Sequence, residues 1–177
     1  MRRGLFSLPF LMLLAATATA QEKEGHEKEK AAEAARATPA LASALKEAKV
    51  SLVSGLQAAE KEGQPISGKF ELEDGKLQLS VYTMKGDKFS EVIVDHKTGK
   101  VAKSEPITGG EDLAAAQKQA QAMRKTKHAL REAAARAEKA NPGFHAVSVV
   151  PELEDGKPQA DVTLLKGSTP KSVDEPL

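Results

Sequence analysis

The hexapeptide ELEDGK stands at residues 71–76 and returns, letter for letter, at residues 152–157. A shift of 81 positions also superposes identical residues beyond the hexapeptide, namely Gln78 on Gln159, Val81 on Val162, Lys85-Gly86 on Lys166-Gly167 and Val92 on Val173. A six-residue identity is improbable by chance in 177 residues, and its extension identifies an internal duplication. The prediction of the fold therefore starts from one unit that occurs twice.

Each hexapeptide has the pattern of a tight hairpin. Apolar and polar residues alternate on both sides of Asp74-Gly75, and Asp-Gly between alternating segments favours a two-residue turn. The sequence from Lys85 to Lys88 predicts a second turn, and Phe89 to Val94 a third strand. Asp155-Gly156 forms the same corner in the second copy. Each copy is thus predicted to contain a three-stranded antiparallel meander.

A segment with helical spacing precedes each meander. In the first copy apolar residues fall three or four apart, at Leu41, Leu45, Ala48, Leu52, Leu56 and Ala59. Thr38-Pro39 resembles a helix start, and Gly63 with Pro65 ends the pattern. In the second copy the alanine-rich segment 111–140 is predicted to be one long helix that packs on its own sheet. A coiled-coil seam for a partner helix is the alternative for that segment.

These patterns predict an α+β fold with two tandem αβββ units, each a long helix packed on a three-stranded antiparallel meander. The predicted divisions are a signal peptide at 1–20, a charged disordered leader at 21–37, a first unit at 38–103 and a second unit at 104–177. The second unit is divergent, because its last strand is short.

The N-terminus has the layout of a secretory signal peptide. A basic start is followed by the apolar run Leu5 to Ala16, and Ala18-Thr19-Ala20 has the small-x-small pattern of a cleavage site. Cleavage is predicted after Ala20. An uncleaved anchor is the alternative, but the apolar run is about a dozen residues, short of the roughly 20 that a spanning helix needs. We therefore expect a periplasmic or secreted protein with no membrane span after cleavage.

Composition restricts the partners that the exported chain is expected to bind. Removing 20 residues leaves 157, with 24 basic side chains (26 minus Arg2 and Arg3) against 25 acidic ones. A nucleic-acid-binding protein requires a basic face, so nucleic acid is not an expected partner. The chain has no cysteine, which excludes disulfides and lipidation at an N-terminal Cys. No cofactor is predicted, because the phosphate-binding glycine loops are missing from the sequence.

Two such units, in an exported chain without cysteine, resemble tandem PepSY domains. This module occurs in the propeptides of thermolysin-like metallopeptidases and in many bacterial envelope proteins. The resemblance is carried by residues 41–62, 70–81 and 94–101, the last of which read VDHKTGKV. The second copy has no T-G-K-V and carries Pro170 and Pro176 in its last strand. The order of units is also similar to the architecture of secreted β-lactamase inhibitory proteins. The resemblance implies a non-catalytic role, often inhibitory, with a peptidase or another envelope protein as partner.

One pair of motifs is typical of an enzyme. Ser43 to Lys46 matches the S-x-x-K motif, and Lys97-Thr98-Gly99 the K-T-G motif, of serine penicillin-recognising enzymes. The S-D-N motif between them is missing, and 157 residues are too few for the two-part fold of those enzymes. We therefore predict that Ser43 is not a nucleophile and that the protein is not an enzyme. A small hydrolase with an unrecognised site, or a chaperone segment that assists peptidase processing, is the alternative.

The histidines do not form a metal-ligand pattern. His26-Glu27 is followed by Lys30 where a zincin needs its second His, so the H-E-x-x-H motif is incomplete. His96, His128 and His145 lack metal-ligand spacing and are predicted to be solvated surface residues. A metal-buffering envelope protein that uses the His/Glu leader remains a further alternative.

The acidic hairpin tips are the candidate partner-binding residues. Glu73-Asp74 and Glu154-Asp155 are paired acids that could meet a basic partner, since exposed loops commonly carry binding. The structural interpretation of the same residues is the turn itself, because both central residues of an Asp-Gly hairpin need positive φ.

Overall fold

The computed structural model describes residues 39–177. The predicted signal peptide, the predicted leader and the predicted helix start at Thr38 lie outside the described residues. The described helices are α1 (Pro39–Ala44), α2 (Leu52–Ala59), α3 (Gly110–Met123) and α4 (Leu130–Ala140), with a 3-10 helix at Leu45–Glu47. The strands are β1 (Gln64–Glu73), β2 (Lys76–Lys85), β3 (Lys88–Val94), β4 (Val101–Ile107), β5 (His145–Glu154), β6 (Lys157–Lys166) and β7 (Thr169–Pro176).

All seven strands belong to one antiparallel sheet, in the order β4-β3-β2-β1-β5-β6-β7. The prediction of two helix-on-meander units is therefore wrong, although the broader α+β class holds. The first strands of the two copies pair with each other, Gly68 opposite Val149 and Lys69 opposite Ser148. A three-stranded meander would leave the first strand of each copy with an unpaired edge, and this short pairing joins the middle of the two edges. The first copy also carries β4, a fourth strand beyond the three that were predicted.

The duplication is visible in the geometry of the strands. β1 and β5 begin and end 81 residues apart, as do β2 and β6. Each first strand has an irregularity at the same place, between Pro65 and Ser67 and between Ala146 and Ser148. Gly68 pairs with Val149, the residue that stands at the equivalent position in the second copy under the shift of 81. A local twofold axis therefore passes through this pair and relates the two halves of the sheet.

Neither copy contains the single long helix that was predicted. In the first copy the helix stops at the 3-10 turn, and α2 starts again from Ser51, whose side chain accepts a hydrogen bond from Ser54 N. The N–H groups of Lys49 and Val50 both donate to His96 O, at 2.8 and 3.2 Å, so the break has its own hydrogen bonds. In the second copy α3 and α4 are separate helices, and the coiled-coil alternative loses the continuous helix on which it depended.

Helices cover both faces of the sheet. A Cβ built on Gly68 would lie 2.8 Å from Leu56 Cδ2, so α2 approaches the sheet closely on this face. Adjacent strand residues point to opposite faces. The neighbour of Gly68, Ser67, donates a hydrogen bond to Gln119 Oε1 of α3 at 2.9 Å. Helix α3 therefore lies on the opposite face from α2.

The core consists of the helix stripes and the strand residues beneath them. α2 and α4 pack against each other and against the central strands. The largest fully buried side chains belong to this core, and they include Leu52, Leu56, Ile66, Leu79, Leu130 and Leu164. A smaller cluster joins Ala42 and Leu45 to Val147 and Leu165.

Candidate functional site

Both ELEDGK hairpins form the predicted two-residue turn. Asp74 and Gly75 have φ of 50° and 74°, and Asp155 and Gly156 have φ of 49° and 76°. In each tip both central residues thus have positive φ, which is the requirement of a type I′ turn. The hairpin prediction is confirmed at both positions. The backbone conformation accounts for Gly preceded by either Asp or Asn, since Asn would suit the Asp position equally well.

The two tips lie at opposite ends of the sheet. β1 and β5 run antiparallel about the twofold axis at Gly68 and Val149, so their hairpins project in opposite directions. Six residues separate Gly68 from Asp74, and at about 3.3 Å per residue the tips are about 40 Å apart along the strand direction. One compact partner surface therefore cannot cover both tips.

The first tip is open to solvent. Glu73, Asp74, Gly75 and Lys76 are all exposed. Glu73 lies opposite Lys76 across the hairpin. This places one basic side chain beside two acidic ones at the end of the β1–β2 hairpin.

The second tip has neighbours from its own chain. Gln159 Nε2 donates to Glu154 Oε2, and Lys125 Nζ donates to Gly156 O at 3.4 Å. Lys125 follows α3 in a basic segment, residues 124–131, that reads RKTKHALR. The two tips thus share a sequence and a turn but differ in their surroundings.

The D-x-K-T-G-K segment forms the turn between β3 and β4. Asp95 Oδ1 accepts hydrogen bonds from the backbone N–H groups of Thr98 and Lys97, at 2.8 and 2.9 Å. These bonds hold the pKa of the Asp95 carboxyl below its usual value, the bond from Thr98 contributing most. Because His96 O accepts the two N–H groups at the helix break, the segment attaches the β3–β4 turn to the start of α2. We assign it a structural role.

The residues of the penicillin-enzyme motifs lie on different elements. Ser43 is exposed on α1, and Lys97-Thr98-Gly99 lies in the β3–β4 turn. Lys97 Nζ lies 3.7 Å from Glu47 Oε2, next to Lys46, in a long ion pair. No hydrogen bond joins Ser43 to Lys46 or to the turn among the described residues.

The described histidines lie in three separate places. His128 and His145 are exposed, as predicted. His128 Nδ1 lies 3.5 Å from Glu132 Oε2. His96 is half-buried and its Nε2 has no hydrogen-bond partner in the described part of the chain. Within residues 39–177 no three metal-ligating side chains come together.

A shallow cleft lies where the end of α2 meets the start of α4. Its volume is about 210 Å³, and Leu56, Glu60, Pro65, Lys127, His128 and Arg131 are among its lining residues. Arg131 Nη1 forms an ion pair with the Glu60 carboxylate across the two copies. Lys127 and His128 are exposed at the cleft, and Lys127 and Arg131 give its lining two cations against the one carboxylate of Glu60. Sequence analysis missed this cleft, because its two walls are 60 residues or more apart in the chain.

Two partly buried hydroxyl–carboxylate pairs were also missed. Ser80 Oγ donates to Glu91 Oε1 at 2.5 Å, and Ser172 Oγ donates to Asp161 Oδ1 at 2.9 Å. The shift of 81 superposes Ser80 on Asp161 and Glu91 on Ser172, so donor and acceptor exchange strands between the copies. The alignment of the two copies already shows this exchange, because a hydroxyl in one copy stands where the other copy has a carboxylate at both positions. The pairs join neighbouring strands, and we assign them a structural role in the sheet.

Tyr82 joins the sheet to α3. Its hydroxyl donates to Asp112 Oδ1 at 2.8 Å. Burial, the hydrogen bond to Asp112 and neighbouring carboxylates raise the pKa of the phenol well above its usual value. The group is thus a neutral donor at physiological pH and stabilises the contact between β2 and α3.

Comparison with protein-family models, with curated proteins and with solved structures finds no match to this chain. In the part of the chain that the structure describes, no helix has the length and apolar character needed to cross a membrane. The exposed hairpin tips and the basic cleft are the two surfaces on which a functional interpretation can be based.

Proposed function

We propose that this chain is an exported, non-catalytic binding or inhibitory protein of PepSY type that acts on a peptidase or another protein of the bacterial envelope. Support for export comes from the signal-peptide pattern that ends at Ala20. Support for the PepSY type comes from residues 41–62, 70–81 and 94–101, whose order and motifs resemble that family.

The observation that carries the proposal is the pair of acidic tips. The turn requires positive φ at Asp74 and Asp155, and either Asn or Asp meets that requirement. The turn therefore does not explain why both tips carry two carboxylates. Exposed carboxylates on a rigid hairpin attract a basic surface and steer its association, an effect that salt screens.

The opposite directions of the tips refine the proposal. Because the tips are about 40 Å apart along the strands, each contacts a separate basic surface. The first tip is the stronger candidate. All four of its residues are exposed, whereas the second tip has Lys125 and Gln159 as neighbours.

The test is capture of partners from an envelope extract, read by mass spectrometry. The bait is the exported form, whose first residue we expect to be Gln21. Four baits are compared: unsubstituted, Glu73→Gln/Asp74→Asn, Glu154→Gln/Asp155→Asn, and Glu111→Gln. Glu111 is an exposed acid on the first turn of α3, and its substitution is the control for simple loss of charge.

We expect the first-tip double variant to lose a basic partner that the unsubstituted bait and the Glu111→Gln bait retain. The loss should be mimicked by raising the salt concentration from about 0.05 to about 0.5 M, because surface charge interactions are screened over that range. Equal capture by all four baits would refute the role of the tips. A captured peptidase is then assayed with and without the protein, and unchanged activity would assign binding without inhibition.

A further inference from the structure

The two helices that pack against each other across the twofold axis are equivalent elements of the two copies. A shift of 78 superposes α2 on α4, with Leu52 on Leu130 and Leu56 on Ala134. All four of these side chains are buried, and the two helices pack against each other. An interface in which the same patch contacts itself is isologous, the arrangement found in C2 dimers. The two copies thus meet inside one chain as two subunits meet in a homodimer.

The strand pairing at this junction is short. Each hairpin, β1–β2 and β5–β6, has nine residue pairs in register, whereas β1 and β5 have two. The copies are therefore held together mainly by side-chain packing and by polar contacts of α3 with β1 and β2. Separation of the copies would break few sheet hydrogen bonds and would leave each meander intact.

The link between the copies is short and unobstructed. β4 ends at Ile107 and α3 begins at Gly110, so Thr108 and Gly109 alone separate them. Gly109 and Gly110 are exposed, and a Cβ built on either would meet nothing within 4 Å. A short connection between two complementary parts is the usual hinge of domain swapping, and two of the residues in this one are exposed glycines.

We infer that the junction accepts a second molecule of this chain, with β1 of one molecule beside β5 of the other and the reverse pair completing the dimer. The exchanged dimer has the same β1–β5 and α2–α4 contacts as the monomer, because the interface is isologous and only the hinge at Thr108–Gly110 differs. The balance between the two forms is set by protein concentration during folding.

Single-cysteine variants test the exchange in the full chain, since the chain has no cysteine of its own. Lys69→Cys, carrying a size tag, is mixed with Ser148→Cys in denaturant, refolded at low and high concentration, and oxidised. Residues 69 and 148 are opposite each other in the β1–β5 pairing. Directly opposite strand residues are close enough for a disulfide. A disulfide between tagged and untagged chains then requires β1 of one molecule to lie beside β5 of another.

The control mixes tagged Lys69→Cys with Ser80→Cys. Residue 69 faces residue 80 inside the first copy, and exchange of copies leaves that pair within one chain. We expect the 69/148 mixture to give a covalent heterodimer that rises with concentration and exceeds the control several-fold. Heterodimer at the control level at every concentration overturns the inference. Two other results would also overturn it. One is an unsubstituted chain that light scattering finds monomeric at every refolding concentration. The other is a dimer seen by light scattering in which the 69/148 disulfide does not exceed the control.

Discussion

Substitution of Gly75 by Val tests the hairpin assignment, because its effect on the free energy of unfolding comes from backbone strain alone. Gly75 has φ of +74° and Gly156 has φ of +76°, and a Cβ built on either meets nothing within 4 Å. A β-branched residue at positive φ is strained, at about 1–3 kcal/mol. The loss is thus a backbone effect without a steric clash, and it should be similar at the two tips.

Thermal melting is the assay. In a domain of this size each kcal/mol lowers the Tm by about 2–4 °C, so Gly75→Val and Gly156→Val should each melt about 2–12 °C lower. Gly75→Asn should lose less, since Asn tolerates the left-handed region. Asp74→Asn and Asp155→Asn should melt like the unsubstituted protein, because Asn suits the same turn position. Val variants that also melt like the unsubstituted protein would refute the turn, and with it the strand pairs built on it.

Two further predictions concern the helix start at Ser51 and the turn at Asp95. Ser51→Ala should lower the free energy of unfolding by about 1 kcal/mol through loss of the cap to Ser54 N, and Ala129→Ser, at the uncapped equivalent position, should raise it by a similar amount; urea denaturation measures both, and a silent Ser51→Ala would contradict the cap. Because the hydrogen bonds from Thr98 and Lys97 lower the folded-state pKa of Asp95, its stabilising contribution is present above the unfolded value of about 3.9 and is lost as the pH falls through the folded value. NMR titration of the Thr98 amide should follow this protonation with a midpoint below the unfolded value, and a midpoint at or above the unfolded value would argue against the bond.

Local strand structure could be predicted from the sequence. The Asp74-Gly75 and Asp155-Gly156 turns lie where they were expected, and so does the turn at Gly86. Turn residues with positive φ and alternating flanks are short-range signals, and they are independent of the rest of the fold. The association of the two meanders into one sheet depends on the pairing of Gly68 with Val149, which are 81 residues apart. No local sequence pattern predicted this long-range pairing.

The helices were misjudged for an identifiable reason. The apolar stripe from Leu41 to Ala59 continues through the break in the helix, because residues on both sides of the break are buried, Leu41 on α1 and Leu52 on α2. Ser51 lies inside the stripe and is a favoured N-cap residue, so it marked the start of a second helix. Its side chain accepts a hydrogen bond from the N–H group of Ser54. Tertiary hydrogen bonds to His96 O then stabilise the interruption.

The cover over the second face of the sheet could not be predicted from the sequence. The alternation of apolar with small polar residues is typical of a sheet with one face in water. Ser67 and Ser80 are nevertheless buried. α3 lies over this face with Ala116 and Ala120 fully buried, and their small side chains permit close approach to a surface of hydroxyls. The acidic tips were recognised as candidates, but their opposite directions depend on the β1–β5 pairing and could not be inferred.

Backbone NOEs between β1 and β5 test the continuous sheet most directly. In the isotopically labelled protein, cross-strand NOEs should join Gly68 to Val149 and Lys69 to Ser148, and the two copies should tumble with one correlation time. The absence of these NOEs, together with different correlation times for residues 39–107 and 110–177, would show two separate units and contradict the account.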